Sequence, residues 1–342
     1  MDTEPVGDLD DIVPTPSLLV EIDTFDQNLR IMGAMHPGRR LRTHVKAFKS
    51  TALAARVSAA GHPTFCCATT REVEGMAAAG LGEDLLLANE VLDARRLGVV
   101  AEAGARVTAA IDSDQTLDAA VAGGVREVLI DVNVGLPRCG CDPSDAGRLA
   151  DRARTAGLEV RGVMGYEGHV VGLAERDERI AGVAAAMEQL VAAHRDVGGD
   201  IVSAGGTGTW DINTWATELQ AGSFLLMDTD YARLDIPFGQ AVFVLGRVIS
   251  TNLRQGYAVA DVGLKSLGMD HGKPSIDGHS VWFCSDEHIT FAPRDGEALP
   301  DVGDLIRVVP AHVDPTIARH QVIHVVRGHD KVDEWAVDLR HW

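Results

Sequence analysis

Lys46 is the residue of this chain best suited to covalent chemistry. It stands between the apolar residues Val45 and Ala47 in the strand-like run Leu41–Phe48. A strand lysine aimed away from water is desolvated, which lowers its pKa and makes the amine a Schiff-base candidate. The plainer alternative is a strand-end lysine locked in a salt bridge. Rivals are few, because the lysines are only Lys46, Lys49, Lys265, Lys273 and Lys331 and the rest of the positive charge is arginine. Lys49 falls at the expected start of the next helix, where solvent reaches it. A second group is His312-Val313-Asp314. On an extended segment, residues i and i+2 point the same way, so an imidazole and a carboxylate converge as a divalent cation requires. Two ligands leave the rest of the shell to water or substrate, and an ordinary surface His–Asp pair has the same spacing. His271, His279, His288, His320, His324 and His329 show no comparable spacing and read as surface or structural groups. A third group combines small residues with hydroxyls in Thr207-Gly208-Thr209 and Gly222-Ser223. Exposed N–H groups and hydroxyls in such turns cradle phosphate. One such loop reads as a turn; two at neighbouring strand ends point to a phosphate-bearing ligand.

The elements that position these groups alternate. Short β-branched runs at Leu41–Phe48, Thr64–Ala68, Asp84–Ala88, Val107–Ile111, Glu127–Val134, Glu159–Gly165, Ile201–Ala204 and Leu219–Met227 read as strands. Amphipathic runs at Ser50–Ala60, Arg71–Ala79, Asp93–Ala103, Asp114–Ala122, Pro143–Ala156 and Arg176–Val197 read as helices, each closed by a glycine. About eight such repeats in roughly 190 residues fit a closed α/β (β/α)₈ barrel better than an open sheet. In that fold, chemistry sits at the C-terminal ends of the strands. Those ends carry Arg42 to Lys46, Asp131 to Arg138, Gly165-Tyr166-Glu167-Gly168-His169, the Thr-Gly-Thr loop and Gly222-Ser223. After Asp235 the texture changes to runs at Ala241–Ile249, Tyr257–Val262, Ser280–Phe283, Leu305–Val309 and Gln321–Val326, which read as a β-rich domain. Ser17–Ile22 is also strand-like. The expected division is a barrel over 23–234 and a β-rich domain made from 1–22 and 235–342.

The 342 residues carry a net charge of −19. Such a surface repels phosphate backbones and anionic lipid, which argues against nucleic-acid partners and membrane binding. No apolar run approaches the ~20 residues of a membrane helix. The acidic start is the opposite of a signal or transit peptide, so a soluble cytoplasmic protein is expected. The five cysteines are Cys66, Cys67, Cys139, Cys141 and Cys284, an odd number without a C-x-x-C, and read as reduced thiols.

Taken in order, these residues resemble the D-threonine aldolase and D-serine dehydratase family, pyridoxal-phosphate enzymes with an alanine-racemase-type barrel and a β-domain. The likeness runs from Thr15-Pro-Ser-Leu-Leu-Val-Glu-Ile-Asp through Arg138-Cys-Gly, Tyr166-Glu-Gly-His169, Thr-Gly-Thr, Asp261-Val-Gly-Leu-Lys-Ser-Leu and Asp286-Glu-His288 to His312-x-Asp314. The resemblance implies that Lys46 attaches pyridoxal 5'-phosphate, that Arg138 approaches its phenolic oxygen and that Tyr166 lines its ring. Thr207, Gly208, Thr209, Gly222 and Ser223 would hold the phosphate. His312 and Asp314 would bind a divalent metal (Mn²⁺, Mg²⁺ or Zn²⁺) beside the substrate's β-hydroxyl, with His169 as base. It also implies a homodimer with sites near the barrel–β-domain interface. The chain departs from the family stretch Arg-Pro-His-x-Lys-x-His-Lys at Thr43 and Phe48. The lost imidazole at Phe48 would alter substrate choice or proton handling.

The expected activity is retro-aldol cleavage of a D-β-hydroxy-α-amino acid to glycine and an aldehyde. The rival is dehydration to a 2-oxo acid and ammonia, on a D-serine, D-threonine or 3-hydroxyaspartate type of substrate. The family's dehydratases resemble one another in carrying cysteine where Asp314 stands, and a carboxylate accepts Mn²⁺ or Mg²⁺ where a thiolate selects zinc. Racemisation is disfavoured because Tyr257 is the only tyrosine of the β-rich region and nothing marks it as a second base. A non-catalytic cofactor carrier would need neither the β-domain nor His-x-Asp.

Overall fold

The computed structural model describes residues 7–294 and 296–342. The opening residues 1–6, part of the expected β-rich domain, lie outside the described residues. Eight short parallel strands close into a barrel: β1 (Leu41–His44), β2 (Thr64–Cys67), β3 (Asp84–Leu87), β4 (Val107–Ile111), β5 (Glu127–Asp131), β6 (Glu159–Gly165), β7 (Ile201–Ala204) and β8 (Glu218–Ala221). β8 pairs with β1, Leu219 opposite Leu41 and Ala221 opposite Thr43, which closes the ring. Every residue of β2, β3 and β4 is buried, so these strands read as unbroken apolar runs rather than alternating ones.

Between the strands run the helices Thr51–Ala59, Thr70–Ala78, Arg95–Glu102, Asp114–Gly123, Ala146–Thr155 and Arg176–Val197. The second starts in a capping box: Thr69 Oγ1 accepts the Glu72 N–H at 3.2 Å, while Glu72 Oε2 accepts the Thr69 N–H at 3.3 Å. Glycine is required where the third and fourth helices meet. A Cβ on Gly98 would lie 1.8 Å from the Gly123 carbonyl oxygen.

The barrel floor, at the N-terminal ends of the strands, is a buried ionic layer. Arg42 Nε lies 2.7 Å from Glu218 Oε1, and its Nη1 lies 3.1 Å from Asp84 Oδ1. Arg161 Nη2 lies 2.8 Å from Asp84 Oδ2, and its Nη1 donates to Thr108 Oγ1 at 2.6 Å. Arg42 therefore belongs to the scaffold below the mouth, not to the chemistry above it. Over this layer pack Cys66, Leu86, Ala110, Leu129 and Met164.

The other region is a ten-stranded, mainly antiparallel sheet among the described residues. Its long central strand, Val242–Asn252, pairs with Ser17–Glu21, Tyr257–Ala260 and Leu305–Val309. Ser17–Glu21 runs parallel to Val322–Arg327, the one parallel pairing of this sheet. The chain divides into two compact units. One comprises residues 7–30, 47–50 and 223–338, and the other 31–46, 51–222 and Leu339–Trp342. No helix among the described residues is long and apolar enough to cross a membrane.

Three expected strands end three or more residues early. The run Leu41–Phe48 is a strand only to His44, because β8 pairs with β1 no further than Thr43 and β2 no further than His44. Glu127–Val134 stops at Asp131, and Leu219–Met227 breaks after Ala221 into the turn Ser223–Leu225.

Candidate active site

Lys46 does not lie on β1 itself but in the 3₁₀ turn Val45–Ala47 that follows it. The strand argument for its desolvation is corrected accordingly: the turn buries Val45 and Ala47 completely and leaves the lysine half-buried between them. Its backbone N–H donates to His44 Nδ1 at 3.4 Å. Lys49, expected in solvent at a helix start, is half-buried with a left-handed φ of 46° two residues before the helix Thr51–Ala59. Cys66, within electrostatic reach of Lys46, is no nucleophile, since burial raises its thiol far above the ordinary value.

The loop after β5 carries Arg138, and the loop after β6 carries Tyr166 and His169. The Arg138 guanidinium lies over the Tyr166 ring, 5.4 Å from its centroid. A Cβ on Gly135 would lie 2.8 Å from His169 Cε1, and one on Gly168 would lie 2.4 Å from Tyr166 Cε1. A Cβ on Gly206 would stand 3.5 Å from the other edge of the Tyr166 ring. The missing side chains at Gly135 and Gly168 thus leave room for the imidazole and the phenol, whereas at Gly206 a Cβ would make only an ordinary contact.

Thr207, Gly208 and Thr209 form a 3₁₀ turn directly beyond β7. Fully buried Glu167 holds it, accepting the Gly205 N–H at 3.0 Å, the Thr209 hydroxyl at 3.1 Å and the Asn213 amide at 2.9 Å. The Thr209 hydroxyl also accepts the Gly206 N–H at 3.1 Å, so this side chain serves the loop. β7 and β8 are neighbours, Leu219 opposite Ala204, which puts Gly222 at the strand end beside the Thr-Gly-Thr turn. Ser223 opens the turn Ser223–Leu225 and belongs to the other compact unit. A lysine amine, a guanidinium over a phenol and turns of small residues at adjacent strand ends suit a phosphorylated carbonyl cofactor. Glu167 and Asn213 had no role assignable from sequence, because they act on each other across 46 residues.

His312 and Asp314 meet, but not for the reason their spacing suggested. His312 is extended (φ −143°, ψ 119°), whereas Asp314 lies in the first turn of a helix, Val313–Arg319. Asp228 starts that helix by accepting the Val313 N–H at 2.9 Å, and burial raises its own pKa to about 6. The turn still sets His312 Nε2 3.2 Å from Asp314 Oδ2. On the ring's far side, His312 Nδ1 lies 2.8 Å from Asp270 Oδ2. Burial works against charge on His312, but Asp314 and Asp270 outweigh it and raise its pKa above the ordinary value.

The reading of His271 as an unrelated surface or structural histidine is corrected here. Its ring stacks on His312 with centroids 3.8 Å apart and planes 8° from parallel. His271 Nδ1 lies 3.0 Å from Asp230 Oδ2. Asp270, His271 and His312 each offer a ligand atom, all within 4.8 Å of one another. The signal was Asp270-His271 directly before Gly272, a carboxylate and an imidazole side by side in a turn rather than on a regular element. Imidazole nitrogens with carboxylate oxygens fit Mn²⁺, Mg²⁺ or Zn²⁺.

The alanine racemase N-terminal domain family matches residues 20–230, and a putative serine dehydratase domain matches residues 241–326. A D-threonine aldolase from Arthrobacter sp. is 33% identical over 355 residues, covering 96% of this chain and 93% of that protein. A 3-hydroxy-D-aspartate aldolase from Paracoccus denitrificans is 30% identical, covering 96% and 92%. A D-threo-3-hydroxyaspartate dehydratase from Delftia sp. (strain HT23) is 26% identical, covering 94% and 96%. Among solved structures, D-threonine aldolase from Filomicrobium marinum superposes with a TM-score of 0.89 at 34% identity, covering 99% of both chains.

Proposed function

Because the chain belongs to the D-threonine aldolase and D-serine dehydratase family of alanine-racemase-type enzymes, we propose that it is a lyase cleaving D-β-hydroxy-α-amino acids to glycine and an aldehyde. Pyridoxal phosphate supplies an electron sink at the amino acid's α-carbon, and a divalent cation supplies a Lewis acid for its β-oxygen. Lys46 is the attachment point of the cofactor. Arg138 would orient the cofactor, Tyr166 would line it, and Thr207, Gly208, Thr209, Gly222 and Ser223 would hold its phosphate. His312 and Asp314 hold the cation. His169 takes the proton from the β-hydroxyl oxygen as the Cα–Cβ bond breaks, so the β-carbon leaves as an aldehyde. The α-carbon keeps the bond's electron pair, gains a proton and leaves as glycine.

The observation that carries cleavage over dehydration is the Asp314 carboxylate 3.2 Å from His312 Nε2, at the position where the resemblance puts cysteine in the dehydratases. A hard oxygen donor suits a cation that polarises a β-oxygen still bonded to carbon. Purified protein incubated with pyridoxal phosphate, Mn²⁺ and D-threonine should give glycine and acetaldehyde in equal amounts. Ammonia and 2-oxobutyrate instead would make it a dehydratase and refute this weighting of Asp314.

A further inference from the structure

Resting on the reading that His312 and Asp314 hold a divalent cation, we propose that Asp270 is a positioning residue that fixes the His312 tautomer and ring plane for that cation. An ionised carboxylate only accepts hydrogen bonds, so the 2.8 Å contact between Asp270 Oδ2 and His312 Nδ1 requires the proton on Nδ1. In a neutral imidazole, Nε2 then carries the lone pair, and it faces Asp314 Oδ2 at 3.2 Å. Two electron-rich atoms facing each other is the arrangement that a cation between them satisfies. A carboxylate behind the distal nitrogen of a ligating histidine orients the ring and strengthens it as a donor.

The surroundings hold the ring from other directions. His271 covers one face of the imidazole, 3.8 Å away and nearly parallel, and is itself tied to Asp230 at 3.0 Å. The backbone of His312 is pinned by its N–H to the Gly268 carbonyl at 3.2 Å and by the Thr316 hydroxyl to its carbonyl at 2.7 Å. What remains unset by packing is the side of the ring on which the proton sits, and Asp270 decides that. The Asp270 side chain is 57% exposed, so removing it leaves the core unchanged.

Two measurements test this, both on the cofactor-loaded enzyme and neither reading turnover. The first is the ¹⁵N spectrum of His312 in metal-free protein at a pH where the ring is neutral: the wild type should show the Nδ1–H tautomer, and Asp270→Ala should shift it towards Nε2–H, facing Asp314. The second is the Mn²⁺ dissociation constant, read from the EPR signal of free Mn²⁺. Asp270→Ala should weaken it by about 10–100-fold. Asp270→Asn, whose amide oxygen still accepts from Nδ1–H, should restore most of the loss. Unchanged Mn²⁺ affinity in Asp270→Ala, with loss in His312→Ala, would overturn the positioning role and leave the metal reading standing. Asparagine as damaging as alanine would make Asp270 a ligand instead. Unchanged affinity in His312→Ala would overturn the metal reading itself.

Discussion

Glu167 shows how one buried charge can hold a site without taking part in its chemistry. Its carboxylate is fully buried and takes hydrogen bonds from Gly205, Thr209 and Asn213. Three donors on one carboxylate offset its desolvation, and the reverse also holds: deleting it leaves three buried donors unmet. Glu167→Ala should lower unfolding stability by about 3–5 kcal/mol in urea titration. It should also weaken cofactor retention about tenfold in ultrafiltration, because the Thr207–Thr209 turn loses its anchor. Loss of stability with cofactor affinity intact would mean that this turn does not hold the phosphate. The sequence exposes such a residue only partly. Tyr166-Glu167-Gly168-His169 stands out as a run of functional types, but the glutamate's partners are a glycine N–H, a threonine hydroxyl and an asparagine with no motif of their own. Lys46 was more legible, because a lysine set between Val45 and Ala47 in a lysine-poor chain is noticed without knowing what it contacts.

The barrel floor ties strands together by charge as well as by ladder. Burial favours the neutral form of Asp84, but Arg161 and Arg42 outweigh it and hold the carboxyl below the usual carboxylate range. A depressed folded-state pKa stabilises the fold above the ordinary aspartate value, and that contribution is lost as pH falls through the depressed one. The urea midpoint should therefore drop between pH 7 and pH 3, and drop less in Asp84→Asn. At pH 7 the same substitution should cost about 3–5 kcal/mol, because Arg42 and Arg161 stay buried with one partner fewer. Equal acid sensitivity in wild type and variant would place the protonation elsewhere. Among the elements, strand existence was readable from apolar runs, and Val107–Ile111, Glu159–Gly165, Ile201–Ala204 and Leu305–Val309 have the expected bounds, whereas ends such as His44 and Asp131 depend on where pairing with a neighbour stops. Asp330–Ala336 escaped for a different reason: only Val332 of Asp-Lys-Val-Asp-Glu-Trp-Ala is fully buried, and charged residues flank it on both sides, so no apolar alternation marks the strand. The helix Val313–Arg319 escaped because its start is set by Asp228, 85 residues earlier.

At the scale of the whole molecule, the proposed chemistry is divided between two compact units. Lys46, Arg138, Tyr166, His169 and the Thr207–Thr209 turn belong to the barrel unit, and His312, Asp314, Asp270 and His271 to the sheet unit. Of the residues given to the cofactor only Ser223 lies in the sheet unit, and it is none of the metal-holding residues, so the two loads should be separable. His312→Ala should abolish turnover of D-threonine while the cofactor's visible absorbance persists, because nothing in the barrel set contributes to the imidazole–carboxylate group. Lys46→Ala should remove that absorbance and turnover together, while Mn²⁺ binding to the protein survives, since the metal set contains no barrel residue. The double comparison is stricter than either variant alone. If His312→Ala also lost the cofactor, the two sets would depend on each other for assembly. The phosphate-holding role given to the barrel turns would then need more of the sheet unit than Ser223.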